Sequence, residues 1–327
     1  MPRVLVIPPI VREQPNRNRE ILEAAGFEVV YPTVHETYLD RPTLLANLRG
    51  IDAVIAGAER YDDEIFAQSQ LRVVARFGVG YDAVDVPTAT RLNIPVTITP
   101  GTNEDSVAEQ ALALMFAVFR KVPERDRDVR SGTFRRSVGA RLKGKTLGLL
   151  GLGRIGRALA WRAIGLGLNV IACDPCADAA FCDQQRIGRC DLEALFKAAD
   201  IVSLHLPGTP ETNKIINAQT LGLMKPSAVL INTARGVLVD ETALAEALRG
   251  GTIAAAGLDV FQREPLPADN PLLALPNVVV SPHVAGWDYD SIAGMAELSA
   301  RCVVDLYQGR WPEGCVVNDE LRADWRW

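Results

Sequence analysis

Two constellations in this 327-residue chain have residue types and spacings that can do chemistry. One is Arg235, Glu264 and His283: a guanidinium, a carboxylate and an imidazole, each lying past a short apolar run, "AVLINTA" (228 to 234), "AAAGLDVF" (254 to 261) and "VVVSP" (278 to 282). An imidazole titrates near neutrality, so it can give a proton to an alkoxide and take it back. A neighbouring carboxylate steadies the charged ring, and a guanidinium can bridge a carboxylate and a carbonyl oxygen with a fork that lysine lacks. That set suits hydride transfer at a 2-oxo acid. The other constellation is Gly151, Gly153 and Gly156 in "GLLGLGRIG", with Asp174 eighteen residues beyond the last glycine. Glycines so spaced allow a tight turn, close approach of backbone to a pyrophosphate, and close seating of a helix on a strand, with the helix N-terminus facing the phosphates. Asp174 would accept hydrogen bonds from adenosine ribose hydroxyls and repel a 2′-phosphate. No basic residue follows it in "DPCADAA", so the pattern favours NAD over NADP.

These residues need a sheet to carry them. "TLGLLG" precedes the glycines, a helix follows, and "NVIACD" ends at Asp174, the strand, helix and strand that the fingerprint requires. "DIVSLHLP" (200 to 207) adds another run ending near His205 and Pro207. In an open parallel sheet, ligands lie beyond the carboxyl ends of the strands, where Arg235, Asp259, Glu264 and His283 fall. The first hundred residues show the same alternation. "RVLVI", "FEVVYP", "DAVIAG", "RVVARFG" and "IPVTIT" are mostly unalternating apolar runs, and "NREILEAAG" and "RPTLLANLRG" are helical stretches closed by glycine. The expected fold class is α/β: two Rossmann-like or flavodoxin-like parallel-sheet domains with a cleft between them. Residues 79 to 93 are expected to turn back without a helix. "GTNEDSVAEQALALMFAVFRKV" (101 to 122) reads as a helix with Ser106 to Glu109 as a capping box, apolar enough to pack between domains or subunits. "RKVPERDRDVRSGTFRR" interleaves both charge signs and reads as solvated helix and loop, not as a nucleic-acid surface.

The length predicts two domains. With 48% hydrophobic residues, 23% charged residues and a net charge of -5, the chain has the balance of an ordinary globular protein, without a field that would gather nucleic acid or an anionic membrane. Pro8 and Pro9 stop the first apolar run too early for a signal-peptide core, and no uninterrupted apolar stretch is long enough to span a bilayer. A cytoplasmic location and no membrane partner are expected. Cys173, Cys176, Cys182 and Cys190 cluster, but one C-x2-C knuckle without a matched His pair predicts reduced thiols and no metal.

Seven ordered motifs resemble the D-2-hydroxyacid dehydrogenase family, particularly its D-3-phosphoglycerate dehydrogenase-like branch: "RFGVGYDAVD", "TPGTNEDSVAEQALAL", "GKTLGLLGLGRIG", "SLHLPGTPET", "INTARGVLVDETAL", "GLDVFQREP" and "SPHVAG". They run through nearly the whole chain. The resemblance implies that Arg235 binds substrate, that Glu264 pairs with the catalytic histidine, and that His283 is that histidine. It implies that the backbone at Gly78, Val79 and Gly80 holds the substrate carboxylate. It places Arg154, Ile155, Asp174, His205, Pro207, Thr212, Thr233, Ala234, Arg235, Asp259, His283 and Gly286 along NAD, and Ser106 on the nicotinamide side. It further implies a discontinuous outer, substrate-binding domain (1 to 101 plus 288 to 327), an NAD-binding Rossmann domain (102 to 287), and a homodimer built on the latter.

The implied activity is NAD-dependent transfer of hydride to or from a small anionic D-2-hydroxy acid, such as 3-phosphoglycerate, or a 2-oxo acid such as glyoxylate or hydroxypyruvate. Two rivals share the fold: an NAD-sensing binding protein like the C-terminal binding protein corepressors, and a formate or phosphite dehydrogenase. Val79 stands where the phosphite enzymes carry lysine. Gly208 in "HLPGTPET" and Trp287 with Asp288 after "HVAG" depart from the family pattern, which bears on pocket shape. No regulatory extension is expected after "RADWRW". His205 is expected to wedge against cofactor and backbone, and His35 to lie on the surface. Arg12 and Arg60 are candidates to reach an anionic substrate tail.

Overall fold

A β-branched run of four or five residues gains little as a helix, but it buries both faces when paired in a parallel sheet. The computed structural model, which describes residues 1–34 and 39–327, forms two compact units on that principle: Met1–Asn103 with Gly286–Trp327, and Glu104–Ala285. His35 lies outside the described residues.

Among the described residues, the first unit holds β1 (Arg3–Val6), β2 (Glu28–Val30), β3 (Ala53–Ala56), β4 (Val73–Arg76) and β5 (Val96–Thr97). All pair in parallel, in the order β2-β1-β3-β4-β5. Side chains alternate between two cores. Leu5, Val54 and Val74 pack on one face with Tyr61, Ile65 and Leu44, while Val4, Ile55 and Val73 pack on the other with Ala296, Ala300 and Val303. The latter three belong to the helix Tyr289–Tyr307, which Asp288 caps by accepting from the amides of Asp290 and Ser291 at 3.1 and 3.0 Å. Asp288 therefore starts a helix.

Residues 79 to 93 do contain a helix, Val86–Arg91, contrary to expectation. Thr88 and Thr90 lower its intrinsic propensity, but Asp85 caps it through the Thr88 amide at 3.0 Å and Pro87 sits in its first turn.

The second unit holds β6 (Thr146–Leu150), β7 (Asn169–Cys173), β8 (Gly188–Arg189), β9 (Ile201–Leu204), β10 (Val229–Asn232), β11 (Ala255–Leu258) and β12 (Val278–Val280), parallel and in the order β12-β11-β10-β9-β6-β7-β8. Strand β8, two exposed residues at the edge, carries no apolar signal in the sequence. The helix Glu104–Phe119 begins before Ser106, so Ser106 to Glu109 is not its cap. Its buried Ala108, Ala111, Leu114, Met115 and Phe119 belong to this unit's own core. Gly257 on β11 lets the helix sit close, since a Cβ there would lie 3.0 Å from the Cβ of Leu114. Helix Val122–Arg130 has no buried residue, as its mixed charge predicts. Among the described residues no helix is long and apolar enough to cross a membrane, and no group of three or more His, Cys, Asp or Glu is arranged to hold a metal ion. All six cysteines are free thiols.

Candidate active site

The glycine loop sits at the carboxyl end of β6. Gly151 has φ +94°, and a Cβ there would lie 2.4 Å from the carbonyl oxygen of His205; only glycine fits. A Cβ on Gly156 would lie 2.4 Å from the Gly151 oxygen, so its absence lets helix Arg154–Gly165 close on the strand. Gly153 precedes that helix and faces open space, with nothing within 4 Å of a built Cβ, and Arg154 beside it is exposed. Ile155 is half-buried. Asp174, just past β7, accepts from the amide of Leu152 through Oδ2 and from that of Cys176 through Oδ1, both at 2.7 Å. It shapes the loop between Gly151 and Gly153 while keeping lone pairs for a further donor.

Beyond β9, His205 is half-buried; its Nε2 lies 2.9 Å from Ser203 Oγ and its amide donates to Leu150 at 2.7 Å. Burial lowers its pKa to about 4, so the ring is neutral at physiological pH. Thr212 donates to the Pro207 carbonyl at 2.6 Å and pins the loop between them.

The chain after β10 is folded by Asn232, a residue that no motif marks. Its Oδ1 accepts from the Ala234 amide at 3.0 Å and its Nδ2 donates to the Arg235 carbonyl at 2.8 Å. Thr233 is buried and its Oγ1 has no hydrogen-bond partner. Arg235 is half-buried, with Nη1 donating to the Ala234 oxygen at 2.7 Å. Gly236 then passes directly against the loop that carries Glu264: a Cβ would lie 1.9 Å from the carbonyl carbon of Phe261.

Glu264 Oε2 lies 2.6 Å from His283 Nδ1, and Oε1 accepts from the Phe261 amide at 2.9 Å. Burial opposes ionisation of this carboxyl, but the hydrogen bond and charge of His283, the Phe261 amide and the Arg235 guanidinium outweigh it, and the pKa lies below the ordinary glutamate value. An ionised Glu264 can only accept, so Nδ1 of His283 carries a proton and Nε2 is the nitrogen left to exchange one.

Asp259 supports the histidine from beneath. It is fully buried at the end of β11, and its carboxylate accepts from Ser281 Oγ at 2.6 Å and from the amides of Val284 and Ala285 at 3.1 and 2.9 Å. Its carbonyl accepts the His283 amide at 2.7 Å. Ser281 in turn accepts from Gln110 Nε2 at 2.9 Å. His283 is thereby held at φ +55°, a conformation that costs a non-glycine residue about 1 kcal/mol and persists where its surroundings impose it. Ser106 lies in the first turns of helix Glu104–Phe119.

In the first unit, Gly78, Val79 and Gly80 follow β4 and are half-buried, with Gly78 at φ +132°. Arg76 braces this loop, donating from Nε to the Gly80 carbonyl at 3.0 Å and from Nη1 to that of Ala56 at 3.4 Å. Gly286 opens the returning segment and packs against Asn103, whose Nδ2 would lie 3.1 Å from a Cβ. Trp287 beside it is 45% exposed.

Comparison with known proteins follows the same outline. The family model for the NAD binding domain of D-isomer specific 2-hydroxyacid dehydrogenases matches residues 112–285. A glyoxylate reductase of Thermococcus litoralis is 41% identical over 294 residues, 86% of this chain and 88% of that protein. A D-3-phosphoglycerate dehydrogenase of Mycobacterium tuberculosis is 45% identical over 300 residues, 88% of this chain and 56% of that one. The crystal structure of an NADPH-dependent glyoxylate/hydroxypyruvate reductase from Sinorhizobium meliloti, in complex with NADP and malonate, is similar with a TM-score of 0.82 at 32% identity, covering 97% of each chain.

Proposed function

The chain belongs to the D-isomer specific 2-hydroxyacid dehydrogenases, oxidoreductases that use a nicotinamide dinucleotide, and from that premise we propose how its own residues divide the work on a small 2-oxo acid of the glyoxylate or hydroxypyruvate kind. The observation that carries the reading is the 2.6 Å pair of Glu264 and His283, with Arg235 acting on the same carboxylate. The loop of Gly151, Gly153 and Gly156 fits a dinucleotide: it is open at Gly153, closed elsewhere, and ends in a helix N-terminus that can face phosphates. Arg154, Ile155, Asp174, His205, Pro207, Thr212, Thr233, Ala234 and Gly286 are assigned to its lining, and Ser106 to the nicotinamide side. Asp174 takes the ribose hydroxyls and selects NAD over NADP.

When bound, the nicotinamide ring supplies or accepts the hydride. His283 delivers its Nε2 proton to the oxygen that becomes the hydroxyl, and takes it back in the other direction. Glu264 fixes the ring and stabilises its charged form. Asp259 holds the turn on which His283 rides. Arg235 clamps the substrate carboxylate and carbonyl oxygen, and the amides of Gly78, Val79 and Gly80 hold the carboxylate.

A homodimer on the second unit is the assembly we favour. Val122, Val129, Phe134 and Val138 are 54, 59, 81 and 88% exposed, and Val138 lines a cavity of about 430 Å³ with Val118, Phe119, Pro123, Val229 and Val278. Six free thiols suit the reducing cytoplasm. NADH oxidation measured against a panel of 2-oxo acids tests the whole reading, with His283→Ala and Arg235→Ala as controls; equal turnover by both variants and the parent overturns it.

A further inference from the structure

A serine hydroxyl has one proton to give and two lone pairs to receive with, so a group that donates to it helps decide where its proton goes. Ser281, half-buried directly after β12, stands between two such partners. Its Oγ lies 2.6 Å from Asp259 Oδ1 and 2.9 Å from Gln110 Nε2. An amide nitrogen can only donate, so the Ser281 proton is committed to the Asp259 carboxylate. The same Asp259 oxygen accepts from the Val284 amide at 3.1 Å, and the other oxygen from the Ala285 amide at 2.9 Å. The Ser281 amide is bonded to the Leu258 carbonyl at 2.9 Å, which fixes the residue at main chain and side chain alike. His283, at φ +55°, lies between these anchors.

Gln110 reaches this turn from 171 residues away. It is half-buried on helix Glu104–Phe119, one turn before Leu114, the residue against which Gly257 of β11 lets the helix settle. The helix is thus seated on the strand that ends at Asp259. Asp105 and Glu109, acids of the same helix, turn to Arg162 at 2.9 and 3.6 Å. A position that meets a hydroxyl already bound to a carboxylate calls for a donor: a second carboxylate there would compete with Asp259 for the single proton and repel its charge.

We propose that Gln110 is a positioning residue for the reaction. By donating to Ser281 it locks the hydroxyl onto Asp259 and so fixes the turn that presents His283. This rests on His283 as the acid and base. The test measures kcat and KM for NADH oxidation with glyoxylate from pH 5 to 8 in the parent, Gln110→Glu and Gln110→Met. At pH 8 the introduced carboxylate is an acceptor of nearly the same shape, and kcat should fall about tenfold with KM for NADH almost unchanged, the mark of a displaced catalytic group. Burial and the charge of Asp259 raise the introduced carboxyl's pKa, so near pH 5 it carries a proton, donates as glutamine does, and the loss should shrink to about twofold. Gln110→Met, which never donates, should show a loss of about threefold that does not vary with pH. Parent-like kcat in Gln110→Glu at pH 8 overturns the proposal, and so does an equal loss at pH 5 and 8, which would leave Gln110 a packing residue.

A second readout needs no cofactor. The chain has three histidines, so the His283 ring signals in an NMR spectrum are identified by their absence from His283→Ala. In Gln110→Glu they should be displaced from the parent's at pH 8 and coincide with them at pH 5; unmoved signals at pH 8 overturn the proposal. If His283→Ala turns over like the parent, the reaction assignment fails instead, and the ring signals still decide whether Gln110 places His283.

Discussion

Glu264 shares its two carboxylate oxygens between the ring of His283, at 2.6 Å, and the amide of Phe261, at 2.9 Å. The acid is thus held by its own loop while it holds the histidine. Loss of the imidazole in His283→Ala should lower kcat by a hundredfold or more, the usual scale of acid and base catalysis, with NADH affinity nearly unchanged in a fluorescence titration. Glu264→Gln keeps the shape and loses the charge, and should cost ten- to a hundredfold. Because the folded pKa of Glu264 is depressed, the charged pair is present above the ordinary glutamate value and is lost only as pH falls through the lowered one. Glu264 should therefore still be ionised at pH 5, and the parent should keep its Tm advantage over Glu264→Gln there; an advantage that vanishes between pH 7 and 5 would contradict the assignment.

Gly236→Ala should be the most damaging small substitution near the site. Its methyl group would overlap the Phe261 carbonyl carbon at 1.9 Å, forcing apart the loops that carry Arg235 and Glu264. A loss of about 1–3 kcal/mol is expected from such overpacking, read as a fall of several degrees in Tm, together with lower kcat/KM.

Asp174→Ser should raise KM for NADH about tenfold and narrow the preference over NADPH, by removing both the ribose acceptor and the charge that repels a 2′-phosphate. Equal use of the two cofactors by the parent enzyme would remove Asp174 from the role of selector.

His205 carries a pH signature of its own. With its pKa lowered from 6.5 to about 4, the folded state refuses a proton that the unfolded chain accepts, so stability should fall as pH drops from about 6.5 toward 4. His205→Gln should flatten that part of the denaturation curve against pH, and add or remove no inflection in the activity profile between pH 5 and 9.

Replacing the exposed apolar residues of the second unit tests the assembly. Phe134→Glu with Val138→Glu should convert a dimer to monomer in sedimentation analysis; a parent that sediments as a monomer ends the case for a homodimer.

Long-range architecture was legible in the sequence because buried parallel strands announce themselves. Eleven apolar runs became eleven strands, and β8 escaped because two exposed residues make no run. The helix Val86–Arg91 was hidden by its threonines, although Asp85 and Pro87 were in view as a start signal. Within the site, residues whose chemistry is intrinsic stood out: His283, Glu264, Arg235 and the glycines of the loop. Those whose importance is relational did not. Asn232, Ser281 and Gly236 matter through partners 2 to 171 residues away. Ser281 could have been found from the break between "VVV" and His283.

Strand β12, which leads to His283, is three residues long and pairs on one side only, with β11. Such an edge would ordinarily be among the first parts of a sheet to open, with exchange of its amides well before the rest. Asp259, rooted in the inner strand, clasps four of the five residues after the edge, Ser281, His283, Val284 and Ala285, at its side chain and carbonyl. The turn bearing His283 thus melts with the middle of the sheet and not with its margin, so heat should extinguish activity at the global transition, without an earlier phase of inactivation in a protein still folded.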